Sequence, residues 1–147
     1  MATQLWLIPL FPLLGFVLNL FLGCTLGRTF TTLVGPLAVL AALGQSVWAC
    51  IALWSGSATT IQETLWRWIH IGDLQLEIGF QVDPLTAMFL LIITGIGFLI
   101  HVYSVGYMAD EEHYGRFFAF LNLFVFFMLV LVLADNLLLM FVGWEGV

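Results

Sequence analysis

The chain has 147 residues, of which 63% are hydrophobic and 8% charged, against roughly 25% charged in a soluble domain. A soluble fold of this size would leave much of that apolar surface in water, whereas a bilayer covers nearly all of it. With a net charge of −6 and Arg28, Arg67 and Arg116 as the permanent cations, the chain has no basic patch, which excludes nucleic acid as a partner.

The start, Met1-Ala2-Thr3-Gln4-Leu5, lacks the positive region and small-residue cleavage site of a secretory signal. The first apolar run is therefore expected to be a retained anchor. It covers about Leu5 to Gly23 and carries Pro9, Pro12, Gly15 and Asn19, prolines that neighbouring helices or water can accommodate. A second span is expected from about Phe30 to Trp54, within a stretch that has no charged residue between Arg28 and Glu63. Residues 1–54 thus form the first two transmembrane helices.

Residues 55–83 change period. Leu74, Leu76, Ile78, Phe80 and Val82 alternate with Gln75, Glu77, Gly79, Gln81 and Asp83, a strand pattern. Gly72-Asp73 is a turn candidate and Trp66 to Ile71 the partner strand. Pairing across that turn sets Ile71 opposite Leu74 and Ile69 opposite Leu76, with Trp68, His70, Gln75 and Glu77 on the polar face. The expected element is a β-hairpin on the membrane surface, with Trp66 and Trp68 at the interface; an irregular polar loop is the alternative. Pro84 then opens a third helix, where its missing N–H does no harm.

Residues 84–147 supply a third span to about Met108, a fourth from about Phe117 to Ala134, and the start of a fifth at Leu137. The four full spans are each about 18–25 residues, as a bilayer requires. The expected fold is an all-α polytopic membrane bundle, four full transmembrane helices plus the start of a fifth, with a surface β-hairpin. Arg28 and Arg116 fall at one end and Arg67 at the other, which places the first two in the cytoplasm by the positive-inside rule.

Cys24 and Cys50 lie too far apart along the membrane normal to bridge, and read as small packing residues. No phosphate-binding glycine loop, CxxC pair, HExxH or nucleophile elbow is present, so no cofactor or metal is expected in this chain. Glu145 is the candidate for chemistry. It follows Leu137-Leu138-Leu139-Met140-Phe141-Val142, and nine residues at ~1.5 Å rise put it about 13 Å deep, near the middle of a ~30 Å hydrocarbon slab. A charge there costs about 2.5–3.5 kcal/mol on insertion scales, so it is rarely decorative. The alternative is a helix that ends early and leaves Glu145 among headgroups. His101, in the third span, is a candidate proton relay or a helix–helix hydrogen-bonding group. Asn122, at a similar depth, suits helix packing, and Asp135-Asn136 suit a tight turn.

The runs His101-Val102-Tyr103-Ser104-Val105-Gly106-Tyr107-Met108, Arg116-Phe117-Phe118-Ala119-Phe120-Leu121-Asn122-Leu123-Phe124, Val132-Leu133-Ala134-Asp135-Asn136-Leu137 and Gly143-Trp144-Glu145-Gly146-Val147 together resemble the antiporter-like subunit L, or chain 5, family of respiratory complex I (NADH:quinone oxidoreductase). Val82-Asp83-Pro84-Leu85-Thr86 fits the same pattern, and the likeness is specific from about Asp83 onward. Related multisubunit sodium/proton antiporters usually read closer to Phe-Trp-Glu-Leu at the glutamate. The resemblance implies the front part of a proton-pumping module in a bacterial inner membrane or equivalent energy-coupling membrane. It implies a catalytic proton-transfer role for Glu145, which in the family pairs with a lysine on a later helix; this chain has no lysine. NADH, FMN, iron–sulfur clusters and quinone would belong to partner subunits. The implied partners are other membrane-arm subunits, above all the neighbouring antiporter-like one, and the lipid bilayer. A sodium/proton antiporter subunit and a purely structural membrane anchor are the competing classes.

Overall fold

A computed structural model describes residues 4–56, 59–71 and 74–147. Five helices and one hairpin follow in the order α1 (Leu7–Leu26), α2 (Arg28–Ser55), β1 (Ile61–Ile71), β2 (Leu74–Val82), α3 (Pro84–Tyr107), α4 (Tyr114–Leu133) and α5 (Leu137–Gly146). Among the described residues, α2, α3 and α4 are long and apolar enough to cross a membrane, while α1 (described as an apolar stretch over Leu7–Gly23) and α5 are shorter. Large apolar side chains such as Phe21, Trp54, Leu99 and Trp144 stand exposed on the outside. That is the surface expected of helices bathed in lipid rather than water.

α1 and α2 are joined through Gly27 alone, whose φ of 82° lies in the left-handed region. A Cβ is penalised there and glycine is not, so the chain reverses within one residue. The two helices then run antiparallel in close contact. A Cβ added to Gly15 would lie 2.6 Å from the Ala38 Cβ, and one added to Gly23 3.0 Å from Thr31 Oγ1. α4 lies in the groove beside them, since a Cβ on Gly35 would meet the Phe118 ring at 2.7 Å. α3 flanks α2 and α4 through Gly97, which faces Val39 and Val125. Small residues permit such approaches, and within a membrane dispersion contact rather than hydrophobic expulsion holds the helices together.

The hairpin closes one end of this bundle. Its register has Ile71 opposite Leu74 and Ile69 opposite Leu76, as alternation predicts, but β1 reaches back to Ile61 rather than starting near Trp66. The polar residues there are held by pairing: Gln62 Nε2 donates to Gln81 Oε1 at 2.8 Å. The register also shifts twice, between Thr64 and Trp66 and between Arg67 and Ile69. Unbroken alternation would set Trp68 opposite Glu77. The bulge brings Arg67 there instead, with Nε 3.4 Å from Glu77 Oε1. A bulge adds one residue to one strand and so reverses the side-chain alternation beyond it. Exposed pairs of this kind contribute little to stability. The expected Gly72-Asp73 turn and the side chains of Cys24, Trp68, His70 and Gln75 lie outside the described residues.

Phe80 and Val82 are buried in the common core, with Ile78 packed against it. Backbone bonds complete the docking: Phe80 bridges Ala134, and the Asp135 N–H donates to Gly79 O at 3.3 Å. Asn136 works in two directions. Its Oδ1 accepts from the Leu139 N–H at 2.9 Å, capping α5, and its Nδ2 donates to Glu77 O at 2.7 Å. The Asp135-Asn136 connection is therefore more than a tight turn, because it is the seat of the hairpin. Asn136→Ala is expected to cost about 0.5–2 kcal/mol through the cap alone and to loosen β2 as well. Asn136→Asp should restore the cap but not the bond to Glu77. Thermal unfolding of the three proteins checks the order: native most stable, the aspartate variant intermediate, alanine least.

Asp83 caps α3 in the same way, its Oδ1 accepting from the Thr86 N–H at 2.7 Å with Pro84 in the first turn. That bond stabilises the carboxylate and holds the Asp83 carboxyl below its usual range. A depressed folded-state pKa contributes stability that is present above the unfolded-state value and is lost as pH falls through the folded one. Asp83→Asn should keep a cap yet remove this acid-side loss, which melting curves taken between neutral and acid pH would reveal.

At the opposite end, the Arg28 guanidinium donates to the carbonyl oxygens of Ala109 and, at 2.8 Å, Glu111, and lies over the Tyr114 ring. Thr32 Oγ1 and Tyr114 Oη are 2.9 Å apart. The Arg28 and Arg116 connections thus share one end of the bundle, and the Arg67 hairpin occupies the other.

Candidate functional site

The cap at Asn136 fixes where α5 begins, which makes Glu145 its ninth residue. Gly143 and Gly146, three apart and so on one face, turn toward α4. A Cβ on Gly143 would lie 2.6 Å from the Leu131 backbone nitrogen, and one on Gly146 would run into the Phe127 ring. At about 100° per residue, Glu145 lies roughly 200° from Gly143 and 100° from Gly146, so it points away from α4. It is exposed and has no hydrogen bond or ion pair among the described residues. The arginines are engaged elsewhere: Arg67 with Glu77, Arg28 with the Ala109 and Glu111 carbonyls, and Arg116 over the Phe120 ring at 5.6 Å. Glu145 keeps the apolar helix that the sequence assigns to it, and its side chain is directed outward from the bundle.

His101 is placed quite differently. It is fully buried on α3, its Nδ1 is 2.8 Å from Gly97 O, and its ring centroid is 6.0 Å from that of Phe118 on α4. A carbonyl can only accept, so Nδ1 carries a proton, and in the neutral form of the ring Nε2 is then a bare acceptor. That nitrogen has no partner among the described residues. His101 also lines an apolar cavity of about 180 Å³ between α3 and α4. It lies at the level of Phe118, within a helical turn of Asn122, whose Nδ2 donates to Phe118 O at 2.9 Å. His101 and Glu145 are not brought together. Phe118, beside His101, and Phe127, beside Gly146 next to Glu145, are nine residues apart on α4, or about 13 Å along the helix.

A seam of polar side chains between α1, α2 and α4 is what sequence reasoning missed. Asn19, Thr31 and Asn122 are all buried, and both amide atoms of Asn19, Thr31 Oγ1 and Asn122 Oδ1 lack partners among the described residues. An unpaired buried polar group costs about 1–3 kcal/mol, which makes four such atoms a notable strip in an apolar bundle. The signal was available in part: Gly15, Asn19 and Gly23 recur every four residues, which sets them on one helix face. Replacing both asparagines by leucine would remove three of these four unpaired atoms but overfill a seam in which Asn122 Oδ1 already lies 2.7 Å from a Cβ built on Gly15. Asn19→Ala is the milder test and is expected to be neutral or stabilising on heating. Cys50 is a free, buried cysteine whose thiol lies 3.6 Å from Ala87 O, in keeping with a packing role. Among the described residues, no three His, Cys, Asp or Glu side chains gather as a metal site would require.

A family model described as NADH-Ubiquinone oxidoreductase (complex I), chain 5 N-terminus, matches residues 68–118. NADH-quinone oxidoreductase subunit L of Escherichia coli (strain K12) is 41% identical over 145 residues, covering 99% of this chain and 24% of the relative. The subunit L of Mycobacterium tuberculosis is 43% identical over 144 residues, covering 97% and 23%. Among solved structures, a chain of the Mrp complex from Dietzia sp. DQ12-45-1b superposes with a TM-score of 0.73 at 25% identity, covering 97% of this chain and 15% of that one. The fold defines a bundle of membrane-capable apolar helices closed at one end by a β-hairpin. Within that class the chain is similar, over nearly its whole length, to the N-terminal part of subunit L, or chain 5, of complex I. It spans about a quarter of the length of the curated relatives.

Proposed function

We propose that the chain forms the first part of a proton-translocating membrane-arm subunit of NADH:quinone oxidoreductase, coupling NADH oxidation and quinone reduction to proton pumping. The observation that carries this reading is Glu145: a carboxylate in an apolar helix, locked against α4 by two glycines and turned outward without a counter-ion among the described residues. Apolar surroundings favour the protonated form of a carboxyl group and a cation brought alongside favours the ionised form, so that a proton is released to water or another acceptor. The same reading has α1 as a fourth full span, Arg28 and Arg116 in the cytoplasm, and the hairpin on the opposite surface of a bacterial inner membrane or its equivalent. Redox cofactors and quinone belong to partner subunits, and the neighbouring antiporter-like subunit is the nearest partner.

The likeness to the Mrp complex favours one competing reading, a subunit of a multisubunit sodium/proton antiporter. Expression of the full-length protein in cells lacking subunit L separates the two. Recovery of NADH-driven proton pumping in inverted membrane vesicles supports the complex I reading. Sodium-dependent proton exchange without recovery of NADH-driven pumping would replace it by the antiporter.

His101 is assigned a relay role in the same pathway, resting on its bare Nε2 and membrane depth. His101→Gln keeps a group able to bond Gly97 O but cannot exchange protons near neutral pH. Slower pumping with unchanged assembly is the expected result; unchanged pumping would leave His101 as a hydrogen-bonding group within α3.

A further inference from the structure

At the Arg28 and Arg116 end, the connection from α3 to α4 and the first turns of α4 border a cleft of about 490 Å³, within the range of specific small-molecule sites. Glu111, His113 and Arg116 line its rim, and Phe117, Phe120 and Phe124 its wall. Glu111 and Arg116 border the same cleft with opposite charges, yet they are not ion-paired to each other or to any other described residue. The cleft shares Leu121 and Phe124 with the apolar cavity that runs on to Met128. From Arg116 to Met128 is twelve residues, or about 18 Å of helix, against ~15 Å for half the hydrocarbon core. Exposed Tyr107 and the arginines mark the rim as headgroup level.

We propose that this cleft binds one phosphatidylethanolamine molecule, with its phosphate on Arg116, its ammonium group on Glu111 and one acyl chain laid along the aromatic wall of α4. The charges select the headgroup. An anionic lipid such as phosphatidylglycerol would bring its phosphate to Arg116 but leave Glu111 without a counter-charge, beside the further carboxylates of Asp110 and Glu112, which are exposed in the same loop. Phosphatidylcholine supplies a cation that has no N–H to donate to the Glu111 carboxylate, whereas a primary ammonium has three. A guanidinium, in turn, is suited to holding a phosphate through more than one hydrogen bond. The aromatic wall and the cavity below it take a chain that spans one leaflet.

The test uses the full-length protein in its assembled complex, reconstituted with a phosphatidylethanolamine probe that carries a photoreactive group in one acyl chain. Crosslinking to residues 117–128 of α4 is expected in the native complex. It should fall about tenfold in both Arg116→Gln and Glu111→Gln, the scale of one lost charge-assisted hydrogen bond. Arg116→Lys should retain much of it. Glu111 lies in an exposed loop, so its variant keeps the fold even if the Arg116 change disturbs α4. Phosphatidylglycerol and phosphatidylcholine probes of the same chain should label the segment weakly. Equal labelling by all three headgroups, or labelling that survives both charge removals, would overturn the proposal. So would absence of labelling in the native complex, the outcome expected if a protein segment fills the cleft. The readout does not depend on proton pumping and stands or falls apart from the functional reading.

Discussion

Replacing Glu145 by glutamine in the full-length complex is expected to leave assembly and NADH oxidation intact while lowering the number of protons moved per electron pair. Glutamine has nearly the same size and differs in charge, and the position is one where size hardly matters. Glu145 points away from α4 and is exposed on this chain, so the substitution disturbs none of the contacts that seat α5. What it removes is a group that can alternate between a neutral and an ionised form. Inverted membrane vesicles oxidising NADH, followed at once by oxygen uptake and a pH indicator, give the ratio directly. Undiminished stoichiometry would show that the carboxylate is not on the proton path. A parallel fall in NADH oxidation and in assembled complex would point to a structural role instead.

The legibility of this chain follows from the solvent it is built for. An apolar run long enough for a helix has one way to satisfy its backbone in lipid, so α2, α3 and α4 are read almost residue by residue from hydropathy. Alternation marks β2 equally well, because one face of the hairpin packs Ile78, Phe80 and Val82 onto the core. β1 is less legible. Gln62, Glu63 and Thr64 carry no periodic signal, and they become strand only because β2 is there to pair with them. Nor can any local pattern announce the bulge at Trp68, since it settles which residue faces Glu77 across the sheet. Asn136 is the clearest case of a role hidden by distance: its cap on Leu139 is local, but its bond to Glu77 joins residues 59 apart in sequence.

The candidate site divides along the same line. Glu145 stands out because a charge in an apolar run is anomalous without reference to anything else. The helix face that it occupies is a different matter, since that is set by Gly143 and Gly146 meeting Leu131 and Phe127, contacts between two helices. His101 and Asn122 are visible as polar residues within spans, but the seam joining Asn19 and Thr31 to Asn122 exists only once α1, α2 and α4 are packed.

Gly143→Leu is expected to be among the most damaging single changes in this chain. A Cβ there would meet the Leu131 backbone nitrogen at 2.6 Å and Cα at 2.7 Å, and backbone cannot step aside as a flexible side chain can. Overpacking of a tight interface costs about 1–3 kcal/mol where neighbours can shift, and with rigid helix backbone on the receiving side the upper part of that range applies. α5 would have to lift from α4 or rotate, and Glu145 would move with it. Pumping and thermal stability of the full-length complex should therefore fall together, in contrast to Glu145→Gln, which separates them. Gly44 on α2 supplies the control, because nothing lies within 4 Å of a Cβ built there. Gly44→Ala should raise stability by about 0.5–1 kcal/mol, the usual gain from removing a helix-interior glycine, with no change in pumping. If Gly143→Leu proved as mild as Gly44→Ala, the close approach of α4 and α5 would be wrong, and with it the outward direction of Glu145.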